Sequence, residues 1–426
     1  MKIHIPYKET KQFSDLAIDY QENNKGFKDF INYFPNIDNF QKQIQQKSKH
    51  FINREILVSV LEEQNSNIHL TASSKNNIKL LKSENTYTIT TGHQLCLFTG
   101  PLLFFYKIMS AINLTEQLQK KYSNYNFVPV FWMATEDHDF QEINSINLFG
   151  EKLVWESQQS GPVGSMNLKG LEKVLIRMDS ILGNSNNANE LMNLFRSAYI
   201  DHDNLADATR YLINVLFGEY GLLIIDGNEK RLKKEFLPQI EKDVYHKGFV
   251  DVIRSSSNEI AKKYHVQAFV RDINFFDLSN NNRVLIRDSN NLSNLSVENF
   301  SPNVLMRTIY QESILPNIGV IGGPSEIAYW LQLYNAFQQE NIPYPIIVHR
   351  NSVLMLRQSQ LNKIKSFSFD IKDFFNDLDF LHKKYLFNKD SSIISLSDER
   401  GLIRKIYSNI LKKNDDIGLN ENINAE

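Results

Sequence analysis

The sequence reads TTGHQLCLFTGP at residues 90–101 and VPVFWMATEDHDF at residues 128–140, and these two stretches determine the predicted fold. Each stretch begins as an apolar strand candidate and then changes abruptly to polar groups that a packed core does not favour. In an open α/β sheet, ligands bind at the carboxyl ends of parallel strands. The two stretches therefore predict one crevice, in which the functional residues should lie.

Strand candidates recur along the chain, and turns and amphipathic helices separate them. Alternation of strands and helices predicts an α/β fold with a largely parallel sheet. The predicted strands span residues 87–91, 127–133, 222–225, 318–321 and 346–348.

Two helices are predicted directly after strands, and each begins at a proline, which favours the first helical position. The helix after the first strand begins at Pro101, and Lys107 faces away from its buried side. Its predicted buried residues are Leu102, Phe105, Met109, Ile112 and Leu118. The helix that begins at Pro324 is predicted to bury Ile327, Leu331, Tyr334 and Phe337.

The chain is predicted to divide into a core, residues 1–366, and a helical segment, residues 367–426. The core opens with a helical lead-in of about 80 residues, where apolar residues recur at helical spacing. Two segments rich in asparagine and serine, about 150–200 and 231–295, are interpreted as insertions rather than sheet.

Composition excludes several classes of protein. With 47 basic and 49 acidic residues, the net charge of −2 gives no general attraction to nucleic acid or to an anionic membrane. The first residues, MKIHIPYKETKQFSD, hold no apolar signal region, and no apolar stretch approaches the roughly 20 residues of a membrane span. One cysteine excludes a disulfide framework within the chain. A soluble, cytoplasmic protein with no nucleic-acid or membrane partner is expected.

The loop after the first strand is bracketed by Gly92 and Gly100 and leads into the predicted helix. Free backbone amides and the helix dipole at a helix start favour a phosphate or carboxylate, and Lys107 could add a positive charge. The loop matches neither the Walker A nor the dinucleotide-binding pattern. The alternative is a tight connection in which His93 and Gln94 only satisfy backbone groups. The candidate binding residues here are Gly92, His93, Gln94, Thr99, Gly100 and Lys107.

The second strand candidate is followed by Glu136, Asp137, His138 and Asp139. These carboxylates repel one another unless a Mg²⁺ ion, a substrate ammonium group or a nearby Lys or Arg joins them. His138 is the candidate general base toward an attacking amine, and the three carboxylates are the candidate magnesium ligands. The alternative is an acidic helix N-terminus, where such residues serve as caps.

Three further strand ends point to the same crevice. Asp226 follows one strand, and Gly322 and Gly323 follow another, where they would allow a ligand to approach the backbone closely. Glu326, in the next helical turn, could hold an amine. Arg350 follows the last strand and could bind phosphate or carboxylate with two hydrogen bonds. Taken alone, each of these residues is more often structural than functional, but together they favour a shared site.

Cys96 lies inside the first loop, where it invites a nucleophile hypothesis. Its neighbours Leu95 and Leu97 are apolar. A buried, inert thiol is therefore expected instead.

These motifs together resemble the BshC family, the cysteine ligases of bacillithiol biosynthesis. The resemblance covers about residues 80–370, and the family typically has glutamine in place of His93 and proline in place of His349. The matching stretches are TGHQLCLFTGP with Lys107, PVFWMATEDHDFQEIN, LADATRYLINVLFGEYGLLIID, NFSPNVLMRTIYQESILP, IGGPSEIAYWLQL and PIIVHRNS.

The resemblance implies a Rossmann-like core with two inserted connecting segments and a coiled-coil arm through which the family forms homodimers. The chain ends at NENINAE, about where the long helices of that arm would continue. A truncated arm is therefore expected, and with it a monomer or weak dimer in place of the family homodimer.

The resemblance also implies a reaction, in which the carboxyl group of cysteine is joined to the amine of glucosaminyl-malate in the last step of bacillithiol biosynthesis. ATP is the expected activating substrate, with Mg²⁺ as a possible metal. Residues 92–100, Lys107 and Arg350 would hold phosphates or the substrate carboxylate, and residues 136–139 would position Mg²⁺ or ammonium groups. Two alternatives stay open: a non-catalytic remnant that binds nucleotide or substrate, and a nucleotide-dependent transferase acting on another amine.

Overall fold

The computed structural model describes residues 2–23, 25–289, 292, 295–389 and 396–412. Its strands are β1 Thr86–His93, β2 Asn126–Met133, β3 Ser145–Leu148, β4 Glu151–Val154, β5 Leu223–Asp226, β6 Phe275–Asp277, β7 Val284–Leu285, β8 Phe300–Pro302, β9 Asn317–Gly322 and β10 Ile346–His349. Its helices are α1 Tyr7–Thr10, α2 Asp15–Gln21, α3 Asn39–Lys47, α4 Arg54–Gln64, α5 Ala72–Leu80, α6 Leu102–Lys121, α7 Phe140–Ile143, α8 Leu171–Leu182, α9 Asn186–Ile200, α10 Leu205–Phe217, α11 Lys230–Glu235, α12 Leu237–His246, α13 Val250–Ala261, α14 Val304–Ile314, α15 Pro324–Leu331, α16 Tyr334–Gln339, α17 Gln358–Ser366, α18 Leu378–Lys389 and α19 Ser397–Leu411.

The central sheet has five strands in the order β10-β9-β1-β2-β5, and every neighbouring pair is parallel. Numbered along the chain, the five strands run 3-2-1-4-5 from β5 to β10, which is the order of a Rossmann-like fold. The predicted α/β class, the parallel sheet and all five predicted strands are confirmed. The strand order reverses between β1 and β9, and in such sheets this switch point is where ligands bind.

Helices cover both faces of this sheet, as a buried parallel sheet requires. Side chains of β2 alternate between the faces, because successive residues of a strand point in opposite directions. Val130 and Trp132 pack in one apolar cluster with β5 and β9, whereas Phe131 and Met133 pack in a second cluster with α6. Both faces of β2 are therefore buried, and its polar continuation begins only where the strand ends.

The helix after β1 differs from the prediction. It begins at Leu102, Pro101 is its N-cap, and the Leu102 side chain is 52% exposed. Ile112 and Leu118 are buried as predicted, but Lys107 is buried too, with only 5% exposure. The prediction that Lys107 faces away was wrong. The buried side follows Phe104, Ile108 and Ala111, and Lys107 shares it at helical spacing.

The predicted helix from Pro324 is divided in two. Proline does occupy the first turn of α15, but this helix ends at Leu331 and α16 begins at Tyr334. Gln332, fully buried between them, donates to the carbonyl oxygen of Ala268 at 2.9 Å and accepts from the Ala268 amide at 2.9 Å. This side-chain bridge occupies the point where the two helices separate.

The inserted segments lie outside the central sheet, as predicted, but they contain strands of their own. β3 and β4 form an antiparallel pair, and β6 pairs antiparallel with β7 and β8. The interpretation of these segments as free of sheet was therefore wrong. Residues 290, 291, 293 and 294 of the predicted asparagine-rich loop lie outside the described residues.

The chain divides into two units, Ser14–Val353 and Met1–Phe13 with Leu354–Glu426. The first residues therefore group with the C-terminal helices, and the predicted domain boundary at residue 366 stays a prediction. Within that unit, Lys384 Nζ lies 2.7 Å from Asp373 Oδ1. Residues 413–426, where the truncated arm is predicted to end, lie outside the described residues. Among the described helices, none has the length and apolar character needed to cross a membrane.

Candidate active site

The structure places the predicted residues along one edge of the central sheet. His93 pairs with Met133 and Met133 with Asp226, so β1, β2 and β5 end at the same level. Gly322 pairs with His349, and the pairing of Thr91 with Ile321 places the ends of β9 and β10 one residue earlier. The amide of Ala134 donates to the carbonyl of His93 at 3.2 Å, which joins the continuations of β1 and β2. The predicted site residues therefore share one edge of the sheet, and a ligand crevice at this edge stays a prediction.

Lys107 and Glu326 form an ion pair at the switch point between β1 and β9. Lys107 Nζ lies 2.7 Å from Glu326 Oε2 and also donates to the carbonyl of Gly92. Glu326 accepts the Gly323 amide at 2.8 Å. Burial lowers the pKa of Lys107, and the Glu326 carboxylate partly offsets this. Burial acts to raise the pKa of Glu326, but Lys107 and the Gly323 amide outweigh it, so the pKa is lowered.

Two arginines stand beside this pair. Arg350 follows β10, and a Cβ placed on Gly323 would lie 3.5 Å from its Nε. Arg307, on α14, was not among the residues predicted from the sequence, and a Cβ placed on Gly92 would lie 3.9 Å from its Nη1. Both guanidinium groups add to the lowering of the Lys107 pKa. We call Lys107, Arg307 and Arg350 the anion pole, because three cations there face one carboxylate.

A buried polar network holds Arg307. Its Nη1 donates to Gln311 Oε1 at 3.0 Å, and Gln311 Nε2 donates to Glu312 Oε1 at 2.9 Å. Asn317 Nδ2 donates to the same Glu312 oxygen at 2.7 Å and accepts at Oδ1 from Thr90 Oγ1 at 2.8 Å. The network therefore connects Arg307 to β9 and β1. The stretch NFSPNVLMRTIYQESILP contains Arg307 and carried part of the family resemblance, so that stretch was the signal that could have identified it.

His93 lies at the end of β1, next to the anion pole. Its Nδ1 is 3.0 Å from the carbonyl of Gln94, a backbone contact of the kind that the structural alternative predicts. Burial and the Lys107 charge lower the pKa of His93 to about 4. His93 is therefore a neutral side chain at pH 7.

The loop between β1 and α6 has an unusual backbone. Phe98, Thr99 and Gly100 have φ values of 53°, 70° and 63°, so three consecutive residues occupy the left-handed region. A Cβ on Gly100 would lie 2.5 Å from the Cβ of Cys96, which explains why glycine is required. The Phe98 amide donates to Tyr199 Oη at 2.7 Å, and Thr99 is buried. Anion binding by the amides of this loop stays a prediction.

Cys96 is half-buried in the same loop. Burial and the nearby Glu142 carboxylate raise the pKa of its thiol to about 11. A thiol that stays protonated at neutral pH is a poor nucleophile. The structure therefore agrees with an inert thiol, although the side chain is less buried than predicted.

Gln94 links the first loop to the acidic residues after β2. Its Nε2 donates to Asp137 Oδ2 at 2.9 Å and to Glu142 Oε2 at 2.7 Å. The alternative in which Gln94 only satisfies backbone groups is therefore wrong. We call Glu136, Asp137, Asp139 and Glu142 the acidic corner.

Two cations from the second inserted segment partner the acidic corner. Lys233 Nζ lies 2.6 Å from Glu136 Oε1, and Arg283 Nη1 lies 3.6 Å from Asp137 Oδ1. Lys233 is buried, and it donates also to Asn228 Oδ1 and to the Glu298 carbonyl, each at 2.8 Å. A nearby Lys or Arg was one of the three positive partners considered from the sequence, and Lys233 and Arg283 fit it. Neither cation was predicted.

The acidic corner does not fit the predicted magnesium site. Within the described part of the chain, no group of three or more His, Cys, Asp or Glu side chains is arranged to hold a metal ion. Glu136 is directed to Lys233, and Asp137 accepts from Gln94. The alternative, in which these acidic residues cap a helix, is not supported for Asp139 either. Asp139 occupies the N-cap of α7, but its side chain accepts no hydrogen bond from a backbone amide of that helix.

Asp226 ends β5 beside the acidic corner. Its carboxylate accepts from the Thr135 hydroxyl and, at 2.8 Å, from the Asn228 amide. Burial raises the pKa of Asp226, and the charge of Arg210 partly offsets the increase. Because these bonds fix the loop after β2 against β5, Asp226 shapes the crevice wall.

Comparison with known proteins identifies the family. The model of the bacillithiol biosynthesis protein BshC, N-terminal Rossmann-like domain, matches residues 1–296 and 290–351. The chain belongs to the BshC family. The matched ranges contain every residue of the anion pole and the acidic corner.

Curated relatives of this BshC protein cover most of its length. A protein of Flavobacterium johnsoniae named "Putative cysteine ligase BshC" is 46% identical over 395 residues, which are 87% of this chain and 74% of that protein. Proteins of the same name from Flavobacterium psychrophilum and Christiangramia forsetii are 43% and 40% identical, over 84% and 87% of this chain and 71% and 74% of theirs.

Proposed function

We propose that this BshC protein is a ligase of bacillithiol biosynthesis that joins the carboxyl group of cysteine to the amine of glucosaminyl-malate, with ATP as the activating substrate. The names of its relatives support the cysteine ligase assignment. The observation that carries the proposal is that one sheet edge holds an anion pole at the switch point and an acidic corner at the end of the neighbouring strand, where Gln94 of the first loop donates to Asp137.

The chemistry needs both the anion pole and the acidic corner. A carboxylate oxygen of cysteine attacks a phosphorus of ATP and gives a mixed anhydride, with either pyrophosphate or ADP as the leaving group. The amine nitrogen then attacks the acyl carbon and expels AMP or phosphate, and the ammonium group loses two protons in total. Lys107, Arg307 and Arg350 would bind the phosphates or the carboxylate, because guanidinium and ammonium groups donate strong charge-assisted hydrogen bonds to such oxygens.

The acidic corner suits the second substrate. Carboxylates that line a partly exposed surface attract an ammonium group and bring the amine close to the anion pole. Because the three predicted carboxylates do not form a metal group, no step of the proposal depends on a metal ion held by them.

The test incubates the purified protein with ATP, cysteine and glucosaminyl-malate and measures bacillithiol by mass spectrometry. We expect bacillithiol to form. Release of AMP with pyrophosphate would indicate activation through an adenylate, whereas release of ADP with phosphate would indicate an acyl phosphate. Binding of the substrates in calorimetry without product would instead favour the non-catalytic alternative. If ATP is consumed with another amine but not with glucosaminyl-malate, the transferase alternative is favoured.

A matched pair of variants connects the activity to the anion pole. Arg307→Met removes one cation of the pole, whereas Arg177→Met removes an exposed arginine that pairs with Glu151. A hydrogen bond to a charged group contributes about 1.5–3 kcal/mol, so Arg307→Met should lower kcat/KM by about 10- to 150-fold. Arg177→Met should leave it unchanged. Equal activities would remove Arg307 from the proposed site.

The predicted monomer or weak dimer and the cytoplasmic location belong to the same proposal. Analytical ultracentrifugation of the purified chain measures the first directly. A stable dimer at micromolar concentration would contradict the prediction of a monomer or weak dimer.

A further inference from the structure

The inference concerns His138 and rests on the proposed function. Arg283 Nη1 lies 3.3 Å from His138 Nδ1. A guanidinium group only donates hydrogen bonds and stays protonated in proteins. His138 Nδ1 must therefore accept in this contact. A neutral imidazole carries one proton, so that proton resides on Nε2.

Arg283 is held firmly enough to impose this choice. Its side chain is 11% exposed, Nε donates to Ser301 Oγ at 3.1 Å, and Nη2 donates to the Pro302 carbonyl at 2.8 Å. The guanidinium carbon also lies 4.2 Å from the centre of the Phe276 ring, a cation–π distance. These three contacts, with Phe276 in the inserted segment and with Ser301 and Pro302 of β8, therefore set where Nη1 points.

The imidazole is free to act on the opposite edge. The His138 side chain is 49% exposed, and Asp137 Oδ1 lies 3.7 Å from Nδ1, beyond hydrogen-bond distance. Nδ1 and Nε2 lie on different sides of the ring, so the edge that faces Arg283 is not the edge available to a ligand. A ligand that approaches this second edge of the ring meets the Nε2–H donor.

We propose that Arg283 is a positioning residue that fixes His138 as its Nε2–H tautomer, and that His138 donates from Nε2 to an anionic oxygen of the substrate. The oxygen in question is that of the activated carboxyl group, where negative charge develops when the amine attacks. A fixed donor directed at such an oxygen stabilises the transition state. This role replaces the general base predicted from the sequence, because Nε2 of this tautomer has no free electron pair with which to take a proton.

Nitrogen NMR of the free protein tests the tautomer without any activity measurement. The protein is labelled with ¹⁵N-histidine, and His138→Gln identifies the His138 signals among those of the ten histidines. We expect Nδ1 to have the chemical shift of an unprotonated nitrogen and Nε2 that of a protonated one, under conditions where the ring is neutral. The reverse assignment would overturn the proposal. Arg283→Met should bring the two shifts closer to their average, whereas Arg254→Met, on α13 of the same inserted segment, should not.

Substitutions of His138 test the donor role. The Nε2 amide group of glutamine occupies about the position of imidazole Nε2 and donates, but it cannot act as a base, whereas asparagine places its amide near Nδ1. We expect His138→Gln to keep most of kcat and His138→Asn to lower kcat by about 100- to 1,000-fold, the usual effect of losing one such donor. Equal losses in both variants would support a base and overturn the proposal.

Variants of Arg283 complete the test. Arg283→Lys keeps a donor and a charge, so it should restore part of the kcat that Arg283→Met loses. If Arg283 were only structural, both variants would change stability and leave the tautomer of His138 as it is. A wild-type protein that makes no product would contradict the proposed function alone, because the NMR measurement decides the tautomer independently.

Discussion

Replacing Lys107 by methionine tests the ion pair at the centre of the anion pole. Methionine has a similar length and fills the space of the lysine stem, but it removes the ammonium group that contacts Glu326 Oε2 at 2.7 Å. The Glu326 carboxylate would then lack its closest cation. It would keep the Gly323 amide at 2.8 Å and the more distant charge of Arg307.

The expected cost follows from these contacts. Removing one partner of a buried ion pair typically costs about 3–5 kcal/mol, because the other charge stays buried without compensation. The Glu326 side chain is 24% exposed and retains one amide donor, so we expect the lower end, about 3 kcal/mol. Adding Glu326→Gln removes the uncompensated charge. The double variant should therefore recover most of the lost stability.

The dependence on pH has a defined sign. The pKa of Glu326 in the folded wild type is lowered from the ordinary 4.5, so its contribution to stability is full above pH 4.5 and is lost as the pH falls through the lowered value. Without Lys107, burial raises this pKa, and the charged carboxylate destabilises the fold at neutral pH. The gap between wild type and Lys107→Met should therefore be larger at pH 7 than at pH 4.

Urea denaturation followed by circular dichroism measures both effects, provided that the slope of the transition is the same in each variant. Lys121→Met serves as the control, because Lys121 pairs with Asp38 at an exposed position. A change of less than about 1 kcal/mol in Lys107→Met, or an equal gap at pH 4 and pH 7, would refute the buried pair.

Three further predictions concern single side chains. His93→Gln should change kcat/KM by less than about tenfold, or about 1.4 kcal/mol, because His93 is already neutral, with a pKa of about 4; a steady-state assay at pH 7 checks this. Cys96→Ser should keep full activity, and iodoacetamide should label Cys96 slowly at pH 7 in intact-mass measurements, because burial raises its pKa to about 11. Lys233→Met should lower the free energy of unfolding by about 3–5 kcal/mol in urea, since it leaves the Glu136 carboxylate without its ion-pair partner, and a loss below about 1 kcal/mol would contradict this.

Local patterns predicted the sheet but not the partners of its functional residues. The predicted strands ended within two residues of the observed strand ends, so His93, Asp137 and Arg350 could be assigned to one edge. Lys107 was misassigned because a lysine in an amphipathic helix is usually solvated. Its burial is made favourable by the carboxylate of Glu326, on another helix, and by the Gly92 carbonyl. Sequence spacing carries no information about such a contact.

The cations of the acidic corner were missed for the same reason. Lys233 reaches Glu136 across 97 residues, and Arg283 reaches His138 across 145. Each lies in the segment that was interpreted as an insertion with surface loops, where a charged residue is ordinarily solvated. A cluster of carboxylates without a partner in the local sequence indicates only that a positive group is needed.

The origins of the charged groups show how the site is divided between parts of the fold. Lys107, Arg307 and Arg350 follow or pack on the central strands, and the network through Gln311 fixes Arg307 to the same sheet. The carboxylates of the acidic corner also follow a central strand, but both of their cations come from the second inserted segment. The central sheet and its helices alone would therefore keep the anion pole, but the carboxylates of the acidic corner would lose the two cations that balance their charge. It follows that the inserted segment is part of the site, because it supplies the charges that allow carboxylates to stand close together and the guanidinium group that orients His138.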